Sequence, residues 1–375
     1  MIFIDWYLPG YRSGGPTRSC ANLIEHLNED VEFSVITRDT DYMSSVPYSG
    51  IKYGAWNTLA DGTPVWYLSS SELSKKSIYS LLEHEKYDQV YLNGIFSKYF
   101  TLIPLQYFRR KKNMSVIVAS RGMLAESALA IKKWKKLFFL FFAKQVSLFK
   151  NVTFHATNEE EAISVRNVFG KRAKVHIAPN LSEISSQEEW KRRTPTPGLL
   201  KLVCVARVAP EKNIKFALEV LTRTKANVQF DIYGPVYDEK YMKECKEVVR
   251  RMPANVRVSF MNSIDSALVT RTIANYDFLF LPTQGENFGH VILQSLSVGV
   301  PVIISDKTLW KDLEAKKAGW ELPLSNQAPF MDLIGRCAKM GEEEYVRFSK
   351  GAFDHARAHM SNKESLEQNR RLFVK

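Results

Sequence analysis

Glu286, Asn287 and Gly289 lie in a polar segment between two apolar runs, and their chemistry suits a ligand site. The run at 278–281 predicts a buried strand, and the apolar residues at 291, 292 and 296 recur at helical spacing. In a parallel sheet such a loop lies at the carboxyl edge, where free backbone N–H groups at a helix start attract anions. We therefore expect this loop to bind an anionic ligand.

Arg207 and Lys212 form a second candidate pair, five positions apart in the loop between a predicted strand at 200–206 and the following helix. Two cations at one sheet edge can converge on a diphosphate and stabilise it as it leaves. The alternative is that both are solvated surface charges. That alternative explains poorly why both residues flank a strand-to-helix loop.

Gly14 and Gly15 stand in a third such loop, after a short strand at 2–4 and before a helix whose buried face carries positions 20, 23, 24 and 27. Glycines let the backbone approach a phosphate closely, and Pro16 suits the first turn of a helix. The simpler alternative is a turn that begins a helix.

From Glu286 onward the chain closely resembles the signature of retaining GT-B glycosyltransferases of family 4. That signature contains a Glu, then Phe-Gly, a second Glu eight positions after the first, and Gly-x-Pro-Val-Ile. Here the matching residues are Glu286, Phe288, Gly289 and 299–303, with Gln294 at the place of the second Glu. The resemblance implies that Glu286 holds donor-sugar hydroxyls and that residue 294 accepts from ribose hydroxyls. Glutamine still accepts through its carbonyl but without a charge, so we expect nucleotide binding to be weakened or re-tuned rather than lost.

The resemblance covers essentially the whole chain and is strongest over 200–325. It implies that Gly14 and Gly15 approach the donor diphosphate, which Arg207 and Lys212 bind. Glu286, Arg207, Lys212 and Arg121 are then the candidate catalytic residues. The remaining candidate donor contacts, which include a backbone segment similar to one that holds the nucleobase, are Gly234, Met261, Ile264, Asn287, Phe288, Gly289 and Gln294.

Asn93 and Arg121 are the candidate acceptor residues. Asn93-Gly94 ends a predicted strand where many relatives carry His-Gly, although turn chemistry alone also favours Asn-Gly. Arg121 stands in Ser-Arg-Gly-Met-Leu, which resembles Pro-Arg-Gly-Met-Leu of a polysaccharide-building subgroup. Other branches place a histidine here, near the reacting sugar. The alternative for Arg121 is a structural salt bridge.

Strands alternate with helices throughout the 375 residues, which predicts an α/β protein with two parallel sheets. The resemblance implies the GT-B fold, in which two Rossmann-like domains face each other across a cleft. We expect an acceptor-side domain at 1–180, completed by a helix at about 361–375 that crosses back, and a nucleotide-sugar domain at 181–360. Pro179-Asn180 stands at the predicted boundary, and a helix is expected at 307–317. Asp39-Thr40-Asp41 resembles a metal motif of another glycosyltransferase fold but reads here as a loop, so we expect neither metal nor cofactor.

Composition and charge predict where in the cell the protein acts. Four scattered cysteines without metal spacing indicate reduced core residues, and the start directly in a strand lacks a secretory leader, so we expect a cytoplasmic protein.

The net charge is +12, and 109–150 holds eleven Lys or Arg against one acid. Its part 131–150, with Trp134 and many Phe, is typical of an interfacial membrane contact, and its apolar run is too short to span a bilayer. The alternative is a buried Phe cluster beneath a solvated lysine face. No nucleic-acid recognition motif accompanies the charge.

The sequence thus predicts a retaining, metal-independent glycosyltransferase that uses a UDP- or GDP-sugar. Its acceptor is expected to be a hydroxyl of a lipid-linked glycan at the inner face of the cytoplasmic membrane. The pathway would be synthesis of a bacterial surface polysaccharide, such as capsule, O-antigen or exopolysaccharide. The alternative is a non-catalytic GT-B partner or activator subunit, for which Gln294 is the main support.

Overall fold

The structure, a computed structural model, describes residues 1–109, 111, 114–125, 128–129, 133–184 and 189–374. The chain divides into two compact units. Unit 1 comprises Met1–Ile184 and Asn362–Lys375, and unit 2 comprises Ser185–Ser361. Each unit has its own sheet and its own buried core.

Unit 1 is built on an eight-stranded sheet in the order β3-β4-β2-β1-β5-β6-β7-β8. All neighbouring strands are parallel except β3 and β4. The central strands are apolar runs because both of their faces are covered. The strands are β1 Ile2–Phe3, β2 Val35–Arg38, β3 Asn57–Thr58, β4 Pro64–Leu68, β5 Gln89–Asn93, β6 Ser115–Ala119, β7 Thr153–Ala156 and β8 Lys174–Ile177.

Helices of unit 1 follow the strands as the alternating pattern predicted. Asn158 caps one of them, because its side chain accepts from the Glu161 N–H. The helices before the boundary are α1 Gly15–Leu27, α2 Lys75–His84, α3 Ile103–Phe108, α4 Lys133–Gln145 and α5 Glu159–Phe169, with a π-helical turn at Lys98–Leu102.

Unit 2 has a six-stranded, wholly parallel sheet in the order β11-β10-β9-β12-β13-β14. Its strands are β9 Leu200–Val205, β10 Val228–Tyr233, β11 Val256–Met261, β12 Phe278–Leu281, β13 Val302–Ser305 and β14 Gly319–Leu322. Its helices are α6 Ile214–Leu221, α7 Glu239–Val249, α8 Val269–Ile273, α9 His290–Ser297, α10 Ala328–Cys337 and α11 Glu342–Met360, with short 3-10 turns at Pro210–Lys212 and Ser266–Leu268.

The chain returns to unit 1 in α12 (Lys363–Phe373). Arg370 Nε donates to Asp30 at 2.7 Å, and Asn369 Nδ2 donates to the Pro179 carbonyl at 2.7 Å. Leu372 and Phe373 pack in the same core cluster as the buried face of α1. The last helix is therefore an integral part of unit 1.

The prediction of a helix at 307–317 is wrong, because this segment consists of bends, irregular backbone and a turn at 313–317. Asp312 and Lys317 have positive φ angles of 58° and 53°, which a right-handed helix does not allow. The carboxylate of Glu321 also accepts the backbone N–H groups of Asp312 and Leu313. Side chains that bind nearby backbone groups offer the chain an alternative to a helix.

All four cysteines are buried with free thiols, in α1, β9, α7 and α10, as their positions in apolar elements predicted. Within the part of the chain that the structure describes, no helix has the length and apolarity needed to cross a bilayer.

Candidate functional site

Four of the predicted donor contacts follow neighbouring strands of unit 2. Met261 ends β11, Gly234 follows β10, Arg207 follows β9 and Glu286 follows β12. These strands are adjacent and parallel, with Tyr233 of β10 opposite both Val205 and Met261. The four positions therefore share the carboxyl edge of one sheet, where open α/β sheets bind ligands.

Lys212 and Glu286 are brought into direct contact at this edge. Lys212 Nζ lies 2.5 Å from Glu286 Oε1, and the two side chains are only 16% and 13% exposed. The backbone carbonyl of Glu211 fixes the two loops together, because it accepts from Thr283 Oγ1 at 3.0 Å and from the Gln284 N–H at 2.9 Å. Thr283 and this carbonyl are positioning groups that sequence reasoning missed.

Asn213 makes the sharp change of direction between the 3-10 turn and α6. Its φ and ψ are 56° and 34°, in the left-handed region that asparagine tolerates better than most residues. Asn213 therefore provides the left-handed backbone turn that follows Lys212 and leads into α6.

The start of α9 is shaped by Gly289 and Trp310. Gly289 has φ 78° and ψ 55°, and an added Cβ would lie 2.8 Å from Ile292 Cδ1 and 3.3 Å from Trp310 Nε1. The Trp310 indole donates to the Phe288 carbonyl at 2.8 Å. The hydrogen bond from Trp310 therefore fixes the loop at Phe288. The adjacent residues Asn287 and Glu286 are only partly buried.

Gln294 lies on α9 with its Nε2 atom fully buried. Among the described residues this donor has no hydrogen-bond partner. An unpaired buried donor costs free energy, and an ionised glutamate at this position would carry only acceptors.

Arg207 is partly exposed beside this edge. Its Nε lies 2.8 Å from Glu211 Oε1, and its guanidinium lies 5.6 Å from the centre of the Tyr237 ring. The two side chains are 39% and 30% exposed, and an ion pair this exposed contributes little to stability. Arg207 therefore carries a partly exposed positive charge beside the end of β9.

The other predicted donor contacts differ in their surroundings. Gly234 has φ 149°, and an added Cβ would lie 2.1 Å from the Ala206 carbonyl oxygen, so close packing of neighbouring strand ends itself requires glycine. Met261 is exposed at the edge strand, and Ile264 packs partly buried against the core of unit 2.

In unit 1, Gly14 and Gly15 begin α1. Gly14 has φ 73° and an added Cβ would meet nothing within 4 Å, whereas Gly15 is the first helical residue. Asp41 binds the same loop, because its carboxylate accepts the backbone N–H groups of Tyr11 at 3.1 Å and Arg12 at 3.2 Å. The Asp39-Thr40-Asp41 segment is therefore a structural loop. Among the described residues no group of three His, Cys, Asp or Glu could hold a metal ion.

Arg121 lies in a polar network at the carboxyl edge of the unit 1 sheet. Its Nε donates to Asn93 Oδ1 at 2.6 Å, its Nη1 to Asn180 Oδ1 at 2.6 Å and its Nη2 to the Tyr91 hydroxyl at 2.9 Å. These partners are neutral, and within the described part of the chain Arg121 makes no salt bridge of the kind considered from the sequence. Tyr91, Asn180 and the neighbouring His155 were missed by sequence reasoning, because no local pattern joins them.

Glu161 holds the backbone around Arg121, which has a positive φ of 50°. Its buried carboxylate accepts from the Ser120 hydroxyl at 2.8 Å, the Gly122 N–H at 2.5 Å and the Thr157 N–H at 2.7 Å. Burial raises the pKa of Glu161, but these hydrogen bonds outweigh it and lower the net pKa. An ionised carboxylate therefore fixes the turn on both sides of Arg121.

His155 lies beneath this network on β7. Its Nδ1 is 2.7 Å from the Tyr91 hydroxyl, and its Nε2 is 2.8 Å from the Ala178 carbonyl oxygen. Burial and then the charge of Arg121 lower the pKa of His155 to about 4. The imidazole is therefore neutral at physiological pH.

Helix α4 carries an exposed apolar surface, formed by Trp134, Leu137, Phe138, Phe141 and Phe142. Trp134 is 83% exposed and Phe138 is 66% exposed. The alternative of a buried Phe cluster is thus wrong for these side chains, whereas Leu140 and Ala143 of the same helix do belong to the core. Residues 131 and 132 of the predicted membrane contact lie outside the described residues.

The chain is similar to known glycosyltransferases in part of its sequence and in its whole fold. Residues 186–354 match the family model "Glycosyl transferases group 1". By sequence the chain matches no curated protein.

Solved structures with the same fold include sucrose-phosphate synthase from Thermosynechococcus elongatus, with a TM-score of 0.73 and 14% identity over 96% of this chain and 93% of that one. Anabaena Alr3699/HepE in complex with UDP and glucose has a TM-score of 0.69 and 13% identity over 96% of both chains. WaaG, a glycosyltransferase involved in lipopolysaccharide biosynthesis, has a TM-score of 0.63 and 13% identity over 100% of this chain and 99% of that one. The predicted α/β fold of the GT-B type is confirmed, and together with the family match it supports a glycosyltransferase.

Proposed function

We propose that the protein is a retaining glycosyltransferase that moves a sugar from a nucleotide-diphosphate sugar to a hydroxyl of a glycan. The observation that carries the proposal is the contact between Lys212 and Glu286 at the carboxyl edge of unit 2, within the segment that matches the family model. A cation for a diphosphate and an acceptor for sugar hydroxyls stand side by side there. An ordinary structural ion pair would not need the neighbouring Arg207.

In the proposed reaction, the bond between the sugar C1 and the diphosphate oxygen breaks while the acceptor oxygen bonds to C1 on the same face. The acceptor's proton passes to the leaving diphosphate, so no protein base is assigned. Arg207 and Lys212 stabilise the negative charge that grows on the diphosphate, and Glu286 orients the sugar through its hydroxyls. Positioning and charge stabilisation supply the catalysis, and no metal is required.

The proposed donor is a UDP- or GDP-sugar, and the proposed acceptor is a lipid-linked glycan of a bacterial surface polysaccharide. Support for the donor comes from HepE, a relative in fold that is described in complex with UDP and glucose. Support for the acceptor comes from WaaG, which is described as involved in lipopolysaccharide biosynthesis.

Thermal unfolding against UDP, GDP, ADP, dTDP and CDP tests the donor site. A nucleotide at 100 times its Kd adds roughly 2.7 kcal/mol to the free energy of unfolding, which raises Tm by about 2–4 °C for a protein of this size. Arg207→Ala should abolish the shift. Arg192→Ala is the matched control, because Arg192 makes an exposed ion pair with Glu342 in the same unit.

A shift from one base alone, lost in Arg207→Ala and kept in Arg192→Ala, supports the proposal and identifies the donor class. No shift with any nucleotide would contradict it and favour the alternative, a non-catalytic GT-B partner. The observation that favours this alternative is Gln294, whose uncharged amide replaces the second carboxylate of the resembled signature.

We also propose that α4 rests on the inner face of the cytoplasmic membrane. The helix combines exposed Trp134 and Phe138 with exposed Lys133, Lys135 and Lys144. Aromatic side chains enter the headgroup boundary while lysines bind anionic headgroups, and each lysine near the surface adds about 1 kcal/mol. Contiguous exposed apolar side chains are uncommon unless they meet a partner or a membrane.

Sedimentation with vesicles containing anionic phosphatidylglycerol tests this part of the proposal. Replacing Lys133, Lys135 and Lys144 by Gln should reduce binding at low salt, and Trp134→Ser should reduce it at any salt. The control replaces Lys240, Lys243 and Lys246 by Gln, which removes the same charge from exposed positions on or beside α7. Equal loss in the control set, or vesicle binding unchanged in both test variants, would contradict a contact through α4.

A further inference from the structure

The amides of Asn93 and Asn180 are oriented by one guanidinium. Arg121 donates to the Oδ1 atoms of both residues at 2.6 Å. A guanidinium has no acceptor, so in each amide the oxygen and not the nitrogen must face Arg121. Both Nδ2 groups are therefore turned away from Arg121.

Both Nδ2 groups are hydrogen-bond donors on side chains that are almost completely buried. Asn93 and Asn180 are only 4% and 7% exposed, and among the described residues neither Nδ2 has a hydrogen-bond partner. Unlike Gln294 Nε2, neither is fully sealed from solvent. Mostly buried amides with unpaired donors favour a ligand that presents acceptor oxygens.

Arg121 itself is held by a chain of hydrogen bonds with a single possible direction. Its Nη2 donates to the Tyr91 hydroxyl, which must then donate to His155 Nδ1. His155 Nε2 in turn donates to the Ala178 carbonyl, because a carbonyl only accepts. Each member fixes the next, so the guanidinium has one orientation.

The two amides lie at the carboxyl edge of the unit 1 sheet, where open α/β sheets bind ligands. Asn93 ends β5, Arg121 follows β6 and Asn180 follows β8, so all three lie beyond the carboxyl ends of parallel strands. Asn93, Ala119 and His155 stand side by side across β5, β6 and β7. The sheet register therefore brings the amides to the network, although Asn180 is 59 positions from Arg121 along the chain.

We propose that Asn93 and Asn180 form a paired donor site for the oxygens of the acceptor sugar, and that Arg121 is a positioning residue that fixes both amides. Identification of the ligand as the acceptor rests on the proposed glycosyltransferase function, whereas the donor pair itself does not. The group bound is an oxygen with free lone pairs. A sugar hydroxyl, a uronate carboxylate and a phosphate share this chemistry.

Asn→Asp substitutions test the site with little risk to the fold. Asn93→Asp and Asn180→Asp keep an oxygen for Arg121 to donate to, but they replace the outward donor by an acceptor. Each should leave Tm unchanged or raised and should weaken sugar binding at least tenfold. Asn326→Asp is the control, because the Asn326 Oδ1 accepts from the Ala328 N–H and an aspartate can do the same.

Side-chain amide NMR signals provide the readout, assigned by their loss in the two variants. Methyl glucoside, glucuronate and inorganic phosphate are the three probes. At least one sugar probe should shift both amide pairs together, and Arg121→Lys should weaken that response at both amides. A structural role for Arg121 alone would lower Tm without changing the response to a probe.

No response of either amide to any probe would overturn the proposal, as would a response to phosphate without either sugar. The measurement needs neither donor nor turnover. A protein whose amides respond to a sugar but which ignores every nucleotide would therefore keep this site and lose the proposed transferase function. The reverse result would keep the transferase and reject the donor pair.

Discussion

Lys212 Nζ lies 2.5 Å from Glu286 Oε1, and both side chains are largely buried. The cation proposed to bind a diphosphate is thus already paired with the carboxylate proposed to hold the sugar. A diphosphate that binds Lys212 must therefore either share the ammonium group with Glu286 or break this ion pair. The pair also prevents either charge from being buried alone before a ligand arrives.

A double-mutant cycle on Lys212 and Glu286 should show strong coupling. Lys212→Met and Glu286→Gln should each destabilise the protein by about 1–3 kcal/mol, because each leaves a largely buried partner unpaired. The double variant should cost clearly less than the sum of the two, measured by urea unfolding. The exposed pair Lys215–Glu244, at 2.9 Å, is the control and should couple by less than about 1 kcal/mol. Equal coupling in the two pairs would contradict the burial argument.

Gln294→Glu should alter nucleotide affinity without a large effect on the fold. A carboxylate accepts from two hydroxyls at once and forms the stronger charge-assisted bonds, so we expect UDP or GDP to bind up to about tenfold more tightly. Calorimetric titration measures the change, with Gln106→Glu, at an exposed position of α3 in unit 1, as the control. An unchanged Kd would mean that residue 294 does not contact the nucleotide.

Gly234→Ala should destabilise the protein by at least about 2 kcal/mol, with or without nucleotide. The reason is steric, because the new Cβ would lie 2.1 Å from the Ala206 carbonyl oxygen. Gly335→Ala is the opposite case: its Cβ would meet nothing within 4 Å inside α10, so a gain of about 0.5–1 kcal/mol is expected. Thermal and urea unfolding of both variants measures the difference. Equal stability of the two variants would show that strand ends at 206 and 234 can separate.

The stability of the protein should fall as pH drops from about 6.5 to 4, partly because of His155. Its pKa is lowered to about 4 by burial and then by Arg121, whereas the unfolded chain binds this proton near 6.5. Below pH 6.5 the unfolded state therefore takes up a proton that the folded state refuses, and up to about 3 kcal/mol is lost. Urea unfolding at a series of pH values should show a shallower dependence in His155→Gln. The exposed His84→Gln is the control, and an equally shallow curve there would contradict the assignment.

Much of the unit 2 edge could be predicted from the sequence because its signals are local. Apolar runs mark the strands, and the loops after β9 and β12 carry their charged residues within a few positions of the strand ends. The parallel order of the strands then places those loops together. The contact of Lys212 with Glu286 follows from this order, although its distance does not.

The network of unit 1 could not be predicted, because its bonds join residues far apart in the chain. Arg121 meets Asn93 and Asn180 across 28 and 59 positions, through a register that only the folded sheet defines. The helix prediction for 307–317 failed although the signal was local. Its composition suits a helix, but the carboxylate of Glu321 takes the N–H groups that a helix would have used.

The discontinuous course of unit 1 has a consequence for how the protein is made. Strand β1 and helix α1 are synthesised before unit 2, yet the partner of Asp30, Arg370, lies 340 positions later in the chain. Unit 2 is continuous between 185 and 361, so it can fold as soon as it has been synthesised. Until α12 has been synthesised, part of the core of unit 1 stays uncovered, because Leu372 and Phe373 belong to that core. The order of synthesis and the order of folding therefore differ, because a helix translated after unit 2 completes unit 1.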